Sequence, residues 1–158
     1  MSMGTISYIL PLFELGRGFT PKKILELGCG CSSFVMRWMW EKAEMIIIDD
    51  HERWLECTKN MGDYKQQTRL LIKTKEETIK AIENNAPYDF VFIDSGHTGG
   101  SDIWRADFLS LIKEKKLLNP KGKILLHDAD REEYQKAIDK WEKIETFIKY
   151  RSCIISNE

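Results

Sequence analysis

Four places along the chain set chemistry-bearing residues directly behind an apolar run. The first is Ile24-Leu25-Glu26-Leu27-Gly28-Cys29-Gly30-Cys31-Ser32-Ser33, and the second is Met45-Ile46-Ile47-Ile48-Asp49-Asp50. The third is Phe90-Val91-Phe92-Ile93-Asp94-Ser95-Gly96-His97, and the fourth is Ile124-Leu125-Leu126-His127-Asp128-Ala129-Asp130. Glycines two apart behind a strand let the backbone turn sharply or press against a ligand. Main-chain N–H groups at the helix start that follows then face the bound molecule. An acid about 20 residues further on, at the next strand tip, is placed to bind a ribose. Asp49 follows Gly28 by 21 residues. A dinucleotide site would need a third glycine where Ser33 stands, and Glu26 would repel a diphosphate. The first two segments therefore point to a nucleoside without a pyrophosphate.

The last two segments offer acid and base groups. Imidazole exchanges protons near neutral pH, so His97 or His127 could take a proton from a hydroxyl. Alternatively Asp94 and Asp128, with Asp130 near them, supply the hard oxygen ligands that suit Mg²⁺, which would acidify a hydroxyl. Asp130 also reads as a cap for the helix that begins near Arg131. Cys29 and Cys31 form the one close cysteine pair among Cys29, Cys31, Cys57 and Cys153. Their spacing matches neither a disulfide framework nor a zinc site, and they read as small residues in a crowded loop.

The elements that must carry these tips follow from periodicity and punctuation. A helix over residues 5–19 is expected, with Ile6, Ile9, Leu10 and Phe13 inward and a break or kink at Pro11. A strand over 24–27 leads into a helix over 32–43, with Phe34, Val35, Trp38 and Met39 as its apolar face. A strand at 44–49, a helix opening at His51, a strand at 69–72 and a polar helix at 76–85 follow, the last stopped by Pro87. The run at 88–93 is apolar throughout, as a central parallel strand should be. A helix from Ile103 to Lys116 turns Trp104, Phe108, Leu111 and Ile112 inward. After a turn over 117–122 comes the strand ending at His127, then a helix over 131–144. The tail 145–155 reads as two short strands around a very tight turn, or as one long strand.

Length and composition bound the rest. A chain of 158 residues is expected to make one domain: an N-terminal helical segment at 1–20, a core at 21–130 and a C-terminal helix and strand or hairpin at 131–158. Hydrophobic content of 42% and charged content of 31% fit a globular protein with a full core. A net charge of −1 gives no electrostatic case for nucleic acid or a membrane surface. No apolar run is long enough to span a bilayer, no signal-peptide pattern opens the chain, and scattered thiols suit a reducing cytoplasm.

Glu26-Leu27-Gly28-Cys29-Gly30 resembles the first motif of the class I S-adenosylmethionine-dependent methyltransferases, Glu/Asp-x-Gly-x-Gly, and Asp49 matches their ribose-binding acid. Residues 90–130 resemble a branch acting on small-molecule hydroxyls. Its pattern is a Phe-Ile-Asp-x-x-His tip, an Asp-bearing helix (here Asp107), Leu-x-Pro-x-Gly and a Leu-His-Asp tip. The resemblance spans residues 22–130. It implies an α/β, three-layer Rossmann-like sandwich: a mostly parallel twisted sheet of six or seven strands with helices on both faces. It implies S-adenosylmethionine held by Glu26, Gly28, Cys29, Gly30, Ser33, Asp49, Asp50, Thr74, Asp94 and Ser95. Thr74 takes the adenine position, where the family usually has a short polar or acidic residue. In some of these enzymes carboxylates on the last two tips hold a divalent ion, here Asp94 and Asp128 with Mg²⁺. Asp94, His97 and His127 are the catalytic candidates, and the acceptor is a small molecule, most plausibly methylated at oxygen. No insertion is long enough for a substrate lid, so the N-terminal helix, the loop 98–101 or a second subunit would complete the acceptor site. Two other readings share the fold: a nicotinamide-dependent oxidoreductase and a non-catalytic nucleoside-binding module. Nucleic-acid methylation fits poorly, because Asp94-Ser95-Gly96-His97 stands where amino methyltransferases carry Asn/Asp-Pro-Pro-Tyr/Phe/Trp.

Overall fold

A computed structural model describes residues 7–59, 66–96 and 104–157. Its strands are β1 (Lys23–Leu27), β2 (Glu44–Asp49), β3 (Gln67–Leu71), β4 (Tyr88–Ile93), β5 (Leu118–His127), β6 (Lys143–Phe147) and β7 (Ser152–Ser156). The helices are α1 (Ile9–Gly16), α2 (Cys31–Met39), α3 (Glu52–Lys59), α4 (Lys75–Asn85), α5 (Trp104–Glu114) and α6 (Glu132–Ile138). One seven-stranded sheet runs in the order β3-β2-β1-β4-β5-β7-β6. The strands from β3 to β5 pair in parallel, and β7 lies antiparallel between β5 and β6. The expected Rossmann-like architecture is therefore present, with seven strands.

Alternate residues of the buried strands feed two cores, one on each face. Ile24, Met45, Ile47, Phe90, Phe92 and Leu125 pack under α1 and α2 with Leu12 and Met36. Leu25, Ile46, Ile48, Val91, Ile93 and Ile124 pack under α4, α5 and α6 with Ile82, Phe108 and Tyr134. This two-sided burial is why these strands are apolar without interruption. The sheet order reverses between β1 and β4, and such a switch point opens a crevice at the carboxyl ends of the strands.

Several expectations are corrected. Pro11 does not break α1. It is the third helical residue, where the N–H it lacks has no intrahelical partner to lose. That helix buries Pro11, Leu12 and Leu15 and leaves Leu10 and Phe13 exposed. In α2 the buried residues are Ser32, Ser33, Met36 and Arg37, while Phe34 and Trp38 are exposed, Trp38 at 69%. The turn expected over 117–122 lies inside β5 as an irregularity, because Tyr88 pairs with Leu118 but Phe90 pairs with Lys123. The last helix stops at Ile138, although Trp141 beyond it is buried as expected. The tail is a true hairpin. A 3-10 turn at Ile148–Tyr150 and a left-handed Arg151 (φ 50°) connect two five-residue strands.

Candidate active site

The cavity begins where β1 ends. Gly28 adopts φ +86°, a conformation that L side chains rarely take, and its N–H donates to the Ile48 carbonyl at 2.9 Å. A Cβ there would lie 2.5 Å from the Asp94 carbonyl oxygen, so β4 presses directly against the turn. Gly30 differs: it is extended, and a Cβ built on it would meet nothing within 4 Å. Beneath this turn Glu26 is fully buried. The Ser32 hydroxyl donates to its Oε1 at 2.5 Å, and the Ser33 hydroxyl to its Oε2 at 2.7 Å. Burial pushes its carboxyl up to about 8 against the opposing pull of the two serines, and the acids Asp49 and Asp94 add to the rise. Small hydroxyl residues therefore open α2 because a buried carboxyl lies under its first turn.

Asp49 ends β2 and is buried, and main-chain donors orient both of its carboxylate oxygens. Cys29 N–H donates to Oδ2 and His51 N–H to Oδ1, each at 2.7 Å. Burial, reinforced by Glu26 and Asp49, raises the Cys29 thiol well above its ordinary range. The thiol therefore stays protonated; Cys29 is half-buried and Cys31 exposed.

The opposite rim comes from β4, β5, α5 and the segment before α1. His127 Nδ1 lies 2.8 Å from Asp94 Oδ1, and its Nε2 lies 2.7 Å from the Ser7 hydroxyl. The Tyr8 ring packs edge-on against the imidazole at 5.2 Å. Asp128 is left-handed (φ 54°), which turns its carboxylate back over the strand tip. Arg105, 3% exposed, joins the two tips. Its Nη2 lies 3.0 Å from Asp94 Oδ1 and its Nη1 3.3 Å from Asp128 Oδ2. The same guanidinium donates to the carbonyls of Ser95, His127 and Asp94. Two more arginines reach Asp128: Arg131 at 3.0 Å and Arg151 at 3.3 Å. Asp130 does not cap α6, whose N-cap is Arg131. It pairs with Arg151, whose hydrogen bonds hold the Asp130 carboxyl below its ordinary value.

A cavity of about 610 Å³ lies between the rims, in the size range of small-molecule sites. Its apolar wall is Ile48, Trp54, Ile72, Trp104 and Phe108. Gly28, Cys29, Gly30, Asp49, Asp50, Asp94, Ser95, His127 and Asp128 all line it. Ser95 Oγ is buried and finds no hydrogen-bond partner among the described residues. The space over Gly30 and this spare hydroxyl both suit a bound polar molecule. Glu26 and Ser33 lie under the lining and do not form it. Thr74 is not among the lining residues: it N-caps α4 by accepting from Glu77 N–H at 3.3 Å, and Thr78, one turn on, lines the cavity. His97 lies outside the described residues.

Arg105 escaped the sequence reading altogether, although a signal was present. The buried stripe of α5 is Arg105, Phe108, Leu109 and Ile112, at spacings i, i+3, i+4 and i+7. A charged residue at a core position of a helical stripe demands a buried partner.

The described groups also test the expected metal site. Ligand atoms of Asp94, His127 and Asp128 lie within 4.8 Å of one another. Their carboxylates, however, already face Arg105, Arg131 and Arg151. At about 4 Å and an effective dielectric near 20, like unit charges repel by about 4 kcal/mol, and a dication facing a guanidinium by about twice that. The donor set does not suit a resident divalent ion.

Comparison with known proteins gives the family. A family model described as a methyltransferase domain matches residues 25–129. The chain belongs to this methyltransferase family. No curated protein matches it in sequence. Solved structures share the fold at low identity. An O-methyltransferase from Bacillus cereus in complex with S-adenosylhomocysteine aligns with TM-score 0.67 and 15% identity, over 98% of this methyltransferase and 80% of the other chain. TomG, an O-methyltransferase of tomaymycin synthesis from Streptomyces achromogenes in complex with S-adenosylmethionine, gives 0.68 and 12%, over 100% and 82%. MycE, a methyltransferase of the mycinamycin biosynthetic pathway in complex with Mg, S-adenosylhomocysteine and mycinamycin VI, gives 0.64 and 14%. The alignment covers 97% of this methyltransferase but 47% of MycE, so the present chain spans less than half of that protein's length.

Proposed function

We propose that this methyltransferase uses S-adenosylmethionine to methylate a hydroxyl oxygen of a small molecule, with His127 as the base. One observation carries the reading. An imidazole bonded on one side to Asp94 meets a hydroxyl on the other, in the wall of the cavity that Asp49 also lines. Asp49, fixed by two amides, receives the ribose hydroxyls, with Asp50 beside it. The turn at Gly28, Cys29 and Gly30, with Ser95, receives the amino-acid end of the cofactor, and Glu26 and Ser33 hold that turn from below. Ile48, Trp54 and Ile72 offer the adenine an apolar slot.

The bound sulfonium supplies a methyl group that leaves by in-line displacement when an oxygen lone pair attacks its carbon. The chain's own groups orient that oxygen and remove its proton. His127 Nε2 accepts the proton, and Asp94 at Nδ1 fixes the ring and stabilises the imidazolium that forms. The Ser7 hydroxyl occupies the place where the acceptor hydroxyl would sit, so acceptor entry displaces Ser7. His97 is a second candidate base from the sequence.

No helix among the described residues is long and apolar enough to cross a membrane. The unpaired cysteines support a reducing, cytoplasmic setting. The exposed apolar residues Leu10, Phe13, Phe34 and Trp38 on α1 and α2 support a homodimer, which light scattering tests.

Calorimetric titration with S-adenosylmethionine and S-adenosylhomocysteine, on wild type and Asp49→Ala, tests the cofactor site. Binding that the substitution abolishes, followed by label transfer from methyl-labelled donor to a panel of phenols and alcohols, is the expected result. Binding without transfer to any hydroxyl would favour the non-catalytic nucleoside-binding module.

A further inference from the structure

We propose that the Arg105 guanidinium fills the place of a divalent cation between the β4 and β5 tips, so that this chain works there without a metal. The role assigned to the site rests on the methyltransferase reading above, but the charge argument does not. Three acids meet in this cluster, Asp94, Asp128 and Asp130, and three arginines balance them, Arg105, Arg131 and Arg151. Glu133 approaches Arg131 from outside the cluster at 3.9 Å, but the two carboxylates that a dication would need, Asp94 and Asp128, each already face at least one guanidinium.

Arg105 also performs the geometric work of a bridging ion. Its planar fork spends Nε on the Ser95 carbonyl, Nη1 on the His127 carbonyl and Asp128 Oδ2, and Nη2 on the Asp94 carbonyl and Oδ1. The oxygens of both tips are thereby locked to one cation. Through Asp94 that lock reaches His127 Nδ1. A metal in this position would exchange with solvent, whereas Arg105 is tethered to a helix by Phe108 and Leu109, one turn further into the core. Arg105 is a positioning residue, because it acts on the base through Asp94.

The test uses Mn²⁺ as the probe. Free Mn²⁺ is counted by its paramagnetic resonance signal, with the full chain present, with and without S-adenosylhomocysteine. Wild type is expected to take up none at millimolar Mn²⁺. Arg105→Ala removes the one cation that Asp94 and Asp128 share, while Arg131 and Arg151 still face Asp128, and is expected to raise Mn²⁺ affinity by roughly 10-fold or more. Asp94→Asn added to it should remove the gain. Arg105→Lys keeps a cation in place and is expected to bind no Mn²⁺. It also carries the test should the alanine variant fail to fold. One Mn²⁺ bound per wild-type chain, displaced by Mg²⁺ and lost in Asp128→Asn, would overturn the proposal. A folded Arg105→Ala that takes up no Mn²⁺ would overturn it too, since Arg105 would then not be the group that keeps a metal out. S-adenosylhomocysteine binding in the same samples reads the methyltransferase assignment separately: its loss sinks that assignment and leaves the Mn²⁺ result standing.

Discussion

At the Asp49 end of the cavity the groups that hold one another are near neighbours in sequence, whereas at the Asp94 end they come from five separate stretches. Glu26 is 6 and 7 residues from Ser32 and Ser33, and Asp49 is 20 from Cys29 and 2 from His51. His127, by contrast, is 33 residues from Asp94 and 120 from Ser7, and Asp128 is 23 from Arg105. The first end holds its acids with amides and hydroxyls, so their polarity stays available to a nucleoside. The second end neutralises acids with arginines and leaves one imidazole poised between an acid and a hydroxyl. One crevice thus has a binding half made by local turns and a reactive half made by tertiary packing.

The sharpest way to break this contrast is Arg105→Met. It leaves the half-buried Asp94 and the buried Asp128 short of a counter-charge and should cost about 3 kcal/mol of stability, read by denaturant unfolding. Asp49→Asn at the other end should cost less stability, about 1–2 kcal/mol, because its one amide oxygen still accepts from Cys29 N–H or His51 N–H and only the other donor loses its acceptor. A matching loss from both substitutions would refute the contrast. His127→Gln tests the reactive half without touching the binding half. Once an acceptor is in hand, turnover should fall about 10²–10⁴-fold, while S-adenosylhomocysteine affinity measured by calorimetry stays within about two-fold.

Glu26 gives the binding half a pH signature. With its carboxyl raised by burial to about 8, the folded chain keeps a proton that the unfolded chain releases above the ordinary glutamate value. This contribution to stability is full at low pH, declines as pH rises toward about 8, and is lost beyond it. Glu26→Gln should remove that decline, measured as urea midpoints across the range. An unchanged slope would mean that the carboxyl is ionised when folded.

The two glycines of the turn should separate. Gly28→Ala drives a Cβ into the Asp94 main chain at a left-handed φ and should cost at least about 2 kcal/mol. Gly30→Ala enters open space and should change stability by no more than about 0.5 kcal/mol, yet weaken cofactor binding, as thermal melting and calorimetry would read. The smallest effect on cofactor binding is expected at Thr74→Ala. Loss of the α4 cap should cost about 1 kcal/mol and leave S-adenosylhomocysteine affinity unchanged. A binding defect there would restore Thr74 to the adenine site.

Legibility in the sequence followed the same division. The bounds of β2 at 44–49, the turn at Gly28, the acid at Asp49 and the central run at 88–93 could be read because short-range geometry requires those residue types. The faces of α1 and α2 could not. Around Phe34 to Trp40 the chain carries apolar residues on more than one side, and the sheet's position chose Met36 over Phe34 and Trp38. Thr74 is ambiguous in sequence because a short polar residue behind a strand tip fits a ligand site and a helix cap equally well.

The sequence by itself determined the parallel sheet, the glycine turn, the ribose-side acid and the presence of imidazole and carboxylates at two strand tips, since apolar runs, glycines and turn residues act within a few positions of themselves. Tertiary structure alone decided what those last groups do. Whether Asp94 meets a metal or Arg105, and whether His127 Nε2 reaches a hydroxyl, depends on α5, on the hairpin that delivers Arg151 and on the segment that carries Ser7. Charges far apart along the chain change one another's chemistry when packing brings them within hydrogen-bonding distance and excludes the water that would screen them.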